Sequence, residues 1–249
     1  METNAPPVLV TLTAPTAAGK SYLFNYIRDV AKLPCLISTT TRSPRAGEVE
    51  GVDYYFISEE ESKRLEAEDQ LAELATYNGV RYGVTKKEFH SKLSQGLAFL
   101  IVEPSGIDHY VKPAKDVGAL HYKAYVHVDP ELRLRRFQER CVADMRKAML
   151  AFATPTGAVA AEGLVIKQLN TALSRMKTML TEEMQWGTMH DWDRTLFGTE
   201  NPKANLDIIL KDVENLKKRH IETETDKERL RNQAFKAQWD KYSASRSTN

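Results

Sequence analysis

The chain has 249 residues, of which 42% are hydrophobic and 28% charged, the size and composition of a globular protein with one large core or a core carrying inserted lobes. A formal net charge of +1 excludes a global field that would draw in nucleic acid or a membrane surface, so any anion binding must come from local clusters. No apolar run approaches the ~18 residues of a membrane span, no basic stretch precedes an apolar one at Met1–Pro7, and Cys35 and Cys141 make no disulfide framework, which together predict a cytoplasmic chain with reduced thiols, no membrane and no nucleic-acid partner.

The first element is the apolar run Val8-Leu9-Val10-Thr11-Leu12, a predicted strand. It leads into Ala14-Pro15-Thr16-Ala17-Ala18-Gly19-Lys20-Ser21, a turn of small residues closing on Gly-Lys-Ser. A strand, such a turn and a helix make a P-loop, in which backbone N–H groups of the turn and of the helix N-terminus face phosphate oxygens. Ala17, Ala18, Gly19, Lys20 and Ser21 are the candidate phosphate-binding residues. Lys20 would set its charge near the β/γ-phosphates, and the Ser21 hydroxyl would ligate Mg²⁺. The turn opens on Ala14 where the usual pattern has glycine, and Ala17 stands where glycine is common. At a site of positive φ, alanine costs roughly 1–2 kcal/mol.

From Lys20 to Lys32 the spacing puts Leu23, Tyr26, Ile27 and Val30 on one helical face. A short apolar run, Pro34–Ile37, follows. Residues 38–56 then carry Arg42 and Arg45, three apart, with Tyr54 beyond them. Two guanidinium forks and a phenol hydroxyl suit one phosphate dianion. Ser58-Glu59-Glu60-Glu61 is a capping box opening a helix toward Leu71, and Thr85-Lys86-Lys87-Glu88 opens another that stops near Gly96. Apolar runs at Leu97–Val102 and Tyr122–Val128 complete an alternation of strands and helices that predicts a parallel α/β sheet.

Asp129-Pro130 is a helix start, followed by a strongly basic stretch through Arg140. Residues 153–163 are small and breaker-rich and read as a loop, with a helical pattern resuming from Leu164 to about Glu183. After Pro202 a last helix places Leu206, Ile209, Leu210, Val213 and Leu216 on one face. Lys217–Asn249 has mixed charge and few apolar residues, a solvated helix with a frayed end that leaves room for a homodimer contact.

The stretch Ser38-Thr39-Thr40-Thr41-Arg42-Ser43-Pro44-Arg45-Ala46-Gly47-Glu48, running on to Gly51 and Asp53-Tyr54, closely resembles the guanylate kinase family, and Glu73-Leu74-Ala75 with Gly79-Val80-Arg81-Tyr82-Gly83 is similar to a second family motif. The resemblance is clear over residues 8–110, weaker over 122–216 and absent from the tail. It implies a P-loop NTPase-type three-layer α/β fold with a parallel central sheet, an inserted nucleoside-monophosphate-binding lobe and a helical lid. The core would be residues 1–37 and 85–129 with 191–220, the acceptor lobe 38–84, the lid 130–190 with an extended loop, and the charged tail 221–249.

The activity implied is ATP-dependent, Mg²⁺-assisted transfer of a phosphoryl group to GMP or dGMP. Lys20 would hold the donor, while Arg136, Arg140 and Arg175 would close from the lid as the other catalytic residues. Ser38, Arg42, Arg45, Tyr54, Glu73, Tyr82, Val84 and Glu103 would bind the acceptor. Two positions depart from the family pattern. Val84 stands where a hydroxyl residue would read the base, and Ile101-Val102-Glu103 replaces Asp-x-Asp, leaving Glu103 as its acid. A kinase for a modified or different deoxynucleotide, and an inactive module that binds a protein partner, remain as alternatives. Turnover across nucleotides separates the first from a guanylate kinase, and nucleotide binding without turnover marks the second.

Overall fold

The computed structural model describes residues 5–45, 47–77, 79–150, 158–198 and 200–246. Strand β1, Val8–Thr13, is buried along its whole length. It lies between β6, Leu97–Ile101, and β7, Leu120–His127, with β8, Arg194–Phe197, outside β7; all three pairings are parallel, in the order β6-β1-β7-β8. Side chains alternate along β1, so the strand feeds two cores. Val8, Val10 and Leu12 pack with Leu23 and Ile27 on one face, joined by Leu206, Ile209 and Val213 of α8, Pro202–Arg246. Leu9 packs with Phe89 and Leu93 of α3, Lys86–Leu93, and with Tyr110 and with Ala114 of α5, Val111–Asp116. Helices therefore cover both faces of a parallel sheet, the predicted three layers.

A second sheet, separate from the first, orders its strands β3-β2-β5-β4. Its members are β2, Thr39–Thr40, β3, Tyr55–Phe56, β4, Leu71–Tyr77, and β5, Val80–Thr85; β2 runs parallel to β3 and antiparallel to β5. Helix α2, Glu59–Ala67, leans on it, tied by Arg81 Nε donating to Ser62 Oγ at 2.8 Å. Two long helices, α6, Pro130–Leu150, and α7, Ala158–Thr181, form the third part.

The caps read from sequence form. Ser58 accepts from the Glu61 N–H at 3.0 Å and Thr85 from the Glu88 N–H at 3.2 Å, while Asp129 Oδ1 accepts from Glu131 and Leu132 at 2.9 and 3.2 Å. Three expectations change. Helix α1 covers only Lys20–Asn25, and Tyr26–Val30 is a π-turn. The wider turn rotates Val30 off the buried face, so it is 63% exposed while Ile27 is buried. Pro34–Ile37 does not form a strand. Cys35 makes one isolated bridge to Phe99, with the Leu36 N–H donating to the Phe99 carbonyl, because Pro34 brings no N–H to a ladder. Helix α7 starts at Ala158, inside the stretch read as a loop, whose residues 153–157 lie outside the described part. The final helix continues to Arg246, so the helix expected beyond Lys217 forms.

Asp212 docks α8 on the sheet, accepting from Tyr122 Oη at 2.7 Å on β7 and from Arg194 on β8 at 2.7 and 2.9 Å. Beneath β1, His121 Nε2 lies 2.9 Å from the Thr11 hydroxyl. Burial, with the nearby Lys123 charge, pulls its imidazole from 6.5 down to about 4. The unfolded chain takes up this proton through the ordinary histidine range and the folded chain does not. Between those values the unfolded state binds more protons, and stability falls as pH falls. His121→Gln should flatten this part of the dependence. Denaturation midpoints at about pH 7 and about pH 4.5 should drop more for wild type than for the variant; equal drops would place the titration elsewhere.

Candidate functional site

A cleft of about 1840 Å³ opens where β1 and β6 end, bounded by the small sheet on one side and by α6 and α7 on the other. Its floor is the turn after β1. Ala14 and Ala18 are buried there, and the Ala18 N–H donates to the Pro15 carbonyl at 3.2 Å. Gly19 stands at φ +82 and Ala17 at φ +62, while Ala14 is not among the residues of positive φ. The missing first glycine therefore carries no backbone strain, whereas Ala17 does.

Lys20 and Ser21 line the cleft. Burial lowers the Lys20 ammonium, and the carboxylates of Glu103 and Glu183 pull it back up. Among the described residues no hydrogen bond or ion pair engages that ammonium. Ser21 is exposed, and Glu103, at the start of the short helix α4, Pro104–Ile107, lines the same cleft. No cluster of three or more His, Cys, Asp or Glu side chains with metal-holding geometry occurs among the described residues. One hydroxyl and one carboxylate beside a phosphate loop fit Mg²⁺, which takes few protein ligands and fills its shell with phosphate oxygens and water.

Across the cleft stand Arg42, Arg45 and Tyr54. Glu48 organises them. Arg42 donates to it through Nη1 at 2.6 Å and Nη2 at 2.7 Å, and the Arg45 N–H donates to the same carboxylate at 2.7 Å. The pairing raises the Arg42 guanidinium and holds the Glu48 carboxyl below its usual range. Arg42 also lies 4.9 Å from the Tyr54 ring centroid, and its Nε is buried with no hydrogen-bond partner among the described residues. Tyr82 meets Tyr54 edge-on at 6.1 Å. Glu48 stands three residues after Arg45, and its role comes from the fold of the loop, not from the arginine spacing that marks the site in sequence.

Arg136 and Arg140 on α6 and Arg175 on α7 line the opposite wall. Arg175 is lowered first by burial and then by the like charges of Arg140 and Arg45, so guanidinium groups from α6, α7 and the loop between β2 and β3 converge on the cleft. Among the described residues Arg45, Arg140 and Arg175 make no ion pair, and such a cluster favours an anion of several charges. Arg136 differs, pairing with Glu200 at 2.7 Å.

The far end of the cleft is polar in a different way. Ser38, Glu73, Tyr82 and Gly83 line it. Glu73 is held by Tyr110 Oη donating at 2.8 Å, with His109 Nδ1 at 3.4 Å. Burial raises its carboxyl, and the bonds from Tyr110 and His109 oppose the rise. Gly83 is needed because a Cβ there would lie 2.6 Å from the Glu73 carbonyl oxygen on the paired strand. Tyr110 and His109 carried no sequence signal as site residues. Position 84 is a correction. Val84 is fully buried among Leu9, Leu36, Phe89 and Leu93, and it does not line the cleft. Alternation along β5 turns it toward the core. The sequence also gave no sign of Arg133 or Glu183, which meet Thr16 at the base of the loop.

Three comparisons bear on this arrangement. A family model described as guanylate kinase matches residues 7–183. A guanylate kinase from Fusobacterium nucleatum is 33% identical over 128 residues, covering 51% of this chain and 69% of that protein. One from a Synechococcus strain is 42% identical over 105 residues, covering 40% of this chain and 48% of that protein, so the chain spans about half of that relative's length. A crystal structure of guanylate kinase from Anaplasma phagocytophilum superposes with a TM-score of 0.52 at 19% identity, covering 86% of this chain and 88% of that one, a likeness of fold.

The burial of Val84 has a direct consequence. Val84→Ser should lower unfolding stability by about 2 kcal/mol, through lost packing and a buried hydroxyl. It should leave the ratio of nucleotide affinities unchanged. Denaturant melts and ligand titrations on one preparation check both; a variant with native stability and altered base preference would put position 84 back in the site.

Proposed function

The chain belongs to the guanylate kinase family, and from that membership we propose that it transfers the γ-phosphoryl group of ATP to GMP or dGMP. The observation that carries the reading is the convergence of Arg45, Arg140 and Arg175 on the cleft that also holds Lys20 and the phosphate loop. Two phosphate grips facing each other bring a donor and an acceptor together, which a surface for a protein partner does not need.

In this reading the loop amides and Lys20 hold the donor triphosphate. Arg45 and Tyr54, with Arg42 fixed by Glu48, hold and aim the acceptor phosphate. An acceptor phosphate oxygen attacks the γ-phosphorus, the bond from that phosphorus to the β,γ-bridging oxygen breaks, and ADP leaves. The attacking phosphate is already anionic at neutral pH, so no general base is assigned. Arg140 and Arg175 meet the charge that spreads over the transferring group. Ser21 and Glu103 would hold Mg²⁺, which when bound neutralises charge on the donor phosphates. Glu73 supports a guanine acceptor, because one carboxylate accepts from both N1–H and the 2-amino group, a donor pair absent from adenine and the pyrimidines. Its bond from Tyr110 fixes the carboxylate and leaves lone pairs for the base. The two unpaired cysteines, Cys35 with its thiol pushed up to about 12 by burial, support work in a reducing cytoplasm.

ADP release measured across the common ribo- and deoxynucleoside monophosphates tests the reading. Turnover should be largest with GMP or dGMP. Lys20→Ala should retain less than about a tenth of it, since such clamps are worth several kcal/mol. Arg45→Ala should raise the acceptor KM and lower kcat while leaving the KM for ATP unchanged. Binding of both nucleotides with no turnover would favour an inactive binding module instead, and a preference for another base would move the acceptor assignment away from Glu73.

A further inference from the structure

Thr16 immediately precedes Ala17, the loop residue held at φ +62. Its N–H donates to Glu183 Oε2 at 2.8 Å, and its hydroxyl donates to Glu183 Oε1 at 2.5 Å. Its carbonyl accepts from Arg133 Nε at 3.2 Å. Arg133 Nη2 in turn donates to Glu183 Oε2 at 2.6 Å. Every polar group of Thr16 is thus taken by one ion pair, whose members are only 5% and 3% exposed. The partners stand at the two roots of the helical arm. Arg133 is in the first turns of α6, and Glu183 follows the end of α7.

Desolvating two charges offsets most of their attraction, so a buried pair contributes little net stability compared with apolar side chains of the same volume. What it does contribute is direction. With Thr16 fixed at three points, the chain must turn at the next residue, and that residue is an alanine in a conformation it resists. Glycine would hold the same turn without help. We propose that Arg133 and Glu183 are positioning residues that latch the phosphate loop in its nucleotide-binding shape, replacing by an external clamp the conformational freedom a glycine at position 17 would give. The proposal rests on the reading of this loop as the donor site. Neither residue touches the donor in it; Arg133 acts through Thr16, and Glu183 acts through Thr16 beside the effect of its charge on Lys20. Freed from the latch, Ala17 relaxes toward negative φ and turns the amides of the loop away from the phosphates.

The experiment uses the full chain and reads the unliganded protein as well as ATP binding. Amide hydrogen exchange at Thr16 should be slow in wild type and fast when Arg133→Met and Glu183→Leu are made together, an apolar pair that leaves no buried charge. That variant should bind ATP about tenfold more weakly and the acceptor monophosphate as before. Adding Ala17→Gly should bring ATP affinity back to within about threefold of wild type while Thr16 exchange stays fast. Should the paired variant not fold, Thr16→Val, which loses only the hydroxyl bond, should weaken ATP binding about threefold, and Ala17→Gly should restore it. Unchanged ATP affinity, or a defect that Ala17→Gly does not rescue, overturns the latch. A wild-type chain that binds no ATP overturns the loop assignment itself, so the two failures are told apart by the first titration.

Discussion

Like charges repel, and this chain gathers them. With a net charge of only +1, it lines one cleft with Lys20, Arg42, Arg45, Arg136, Arg140 and Arg175. Holding cations that close in a partly dry space is the constraint around which the rest of the structure is arranged. The buried sheet supplies rigidity at the floor, because β1 is enclosed by strands on both sides and helices on both faces. Carboxylates then set the pattern of what is neutralised and what is left for a ligand. Glu48 takes Arg42, Glu200 takes Arg136 and Glu183 takes Arg133. Arg45, Arg140 and Arg175 make no ion pair among the described residues. The charges of Glu103 and Glu183 oppose the lowering that burial imposes on the Lys20 ammonium.

The acceptor end of the cleft follows a different logic. The Glu73 side chain is 6% exposed, and it is oriented by the neutral hydroxyl of Tyr110, with His109 beside it, rather than by an arginine or a lysine. A carboxylate matched to a cation would already be satisfied. One held by a phenol keeps its remaining lone pairs for a ligand. The strand pairing that brings Glu73 to the cleft depends on Gly83, and the same strand carries Val84 to the opposite side, into the core. In the proposed reading the base would therefore meet β4 and the segment at Tyr110, not the residue after Gly83.

What sequence made legible was local. The strand-turn-helix at Val8–Ser21, the caps at Ser58, Thr85 and Asp129, and the apolar face of the last helix all rest on interactions within a few residues, and each forms. Ala17 stands where the loop pattern commonly has glycine, and it does carry positive φ. Failures came where the cause is not local. A π-turn shifts the helical register at Val30, and no period reads it in advance. Pro34–Ile37 has strand composition but meets its neighbour at a single bridge. Val84 changes role because of the face of β5 it occupies. Arg133 and Glu183 reach Thr16 from 117 and 167 positions away, so no motif spacing joins them.

The central claim is that one cleft holds a donor and an acceptor phosphate facing each other. A bisubstrate ligand tests it most directly: adenosine and guanosine joined through a five-phosphate bridge, titrated calorimetrically against the intact chain. The account predicts one site, with affinity at least about a hundredfold above that of ATP or GMP alone, because the second grip engages as an intramolecular step. Lys20→Ala and Arg45→Ala should each erase most of that gain. Affinity no greater than for ATP alone, or a gain that survives the loss of Arg45, would contradict the placement of the two grips in one site.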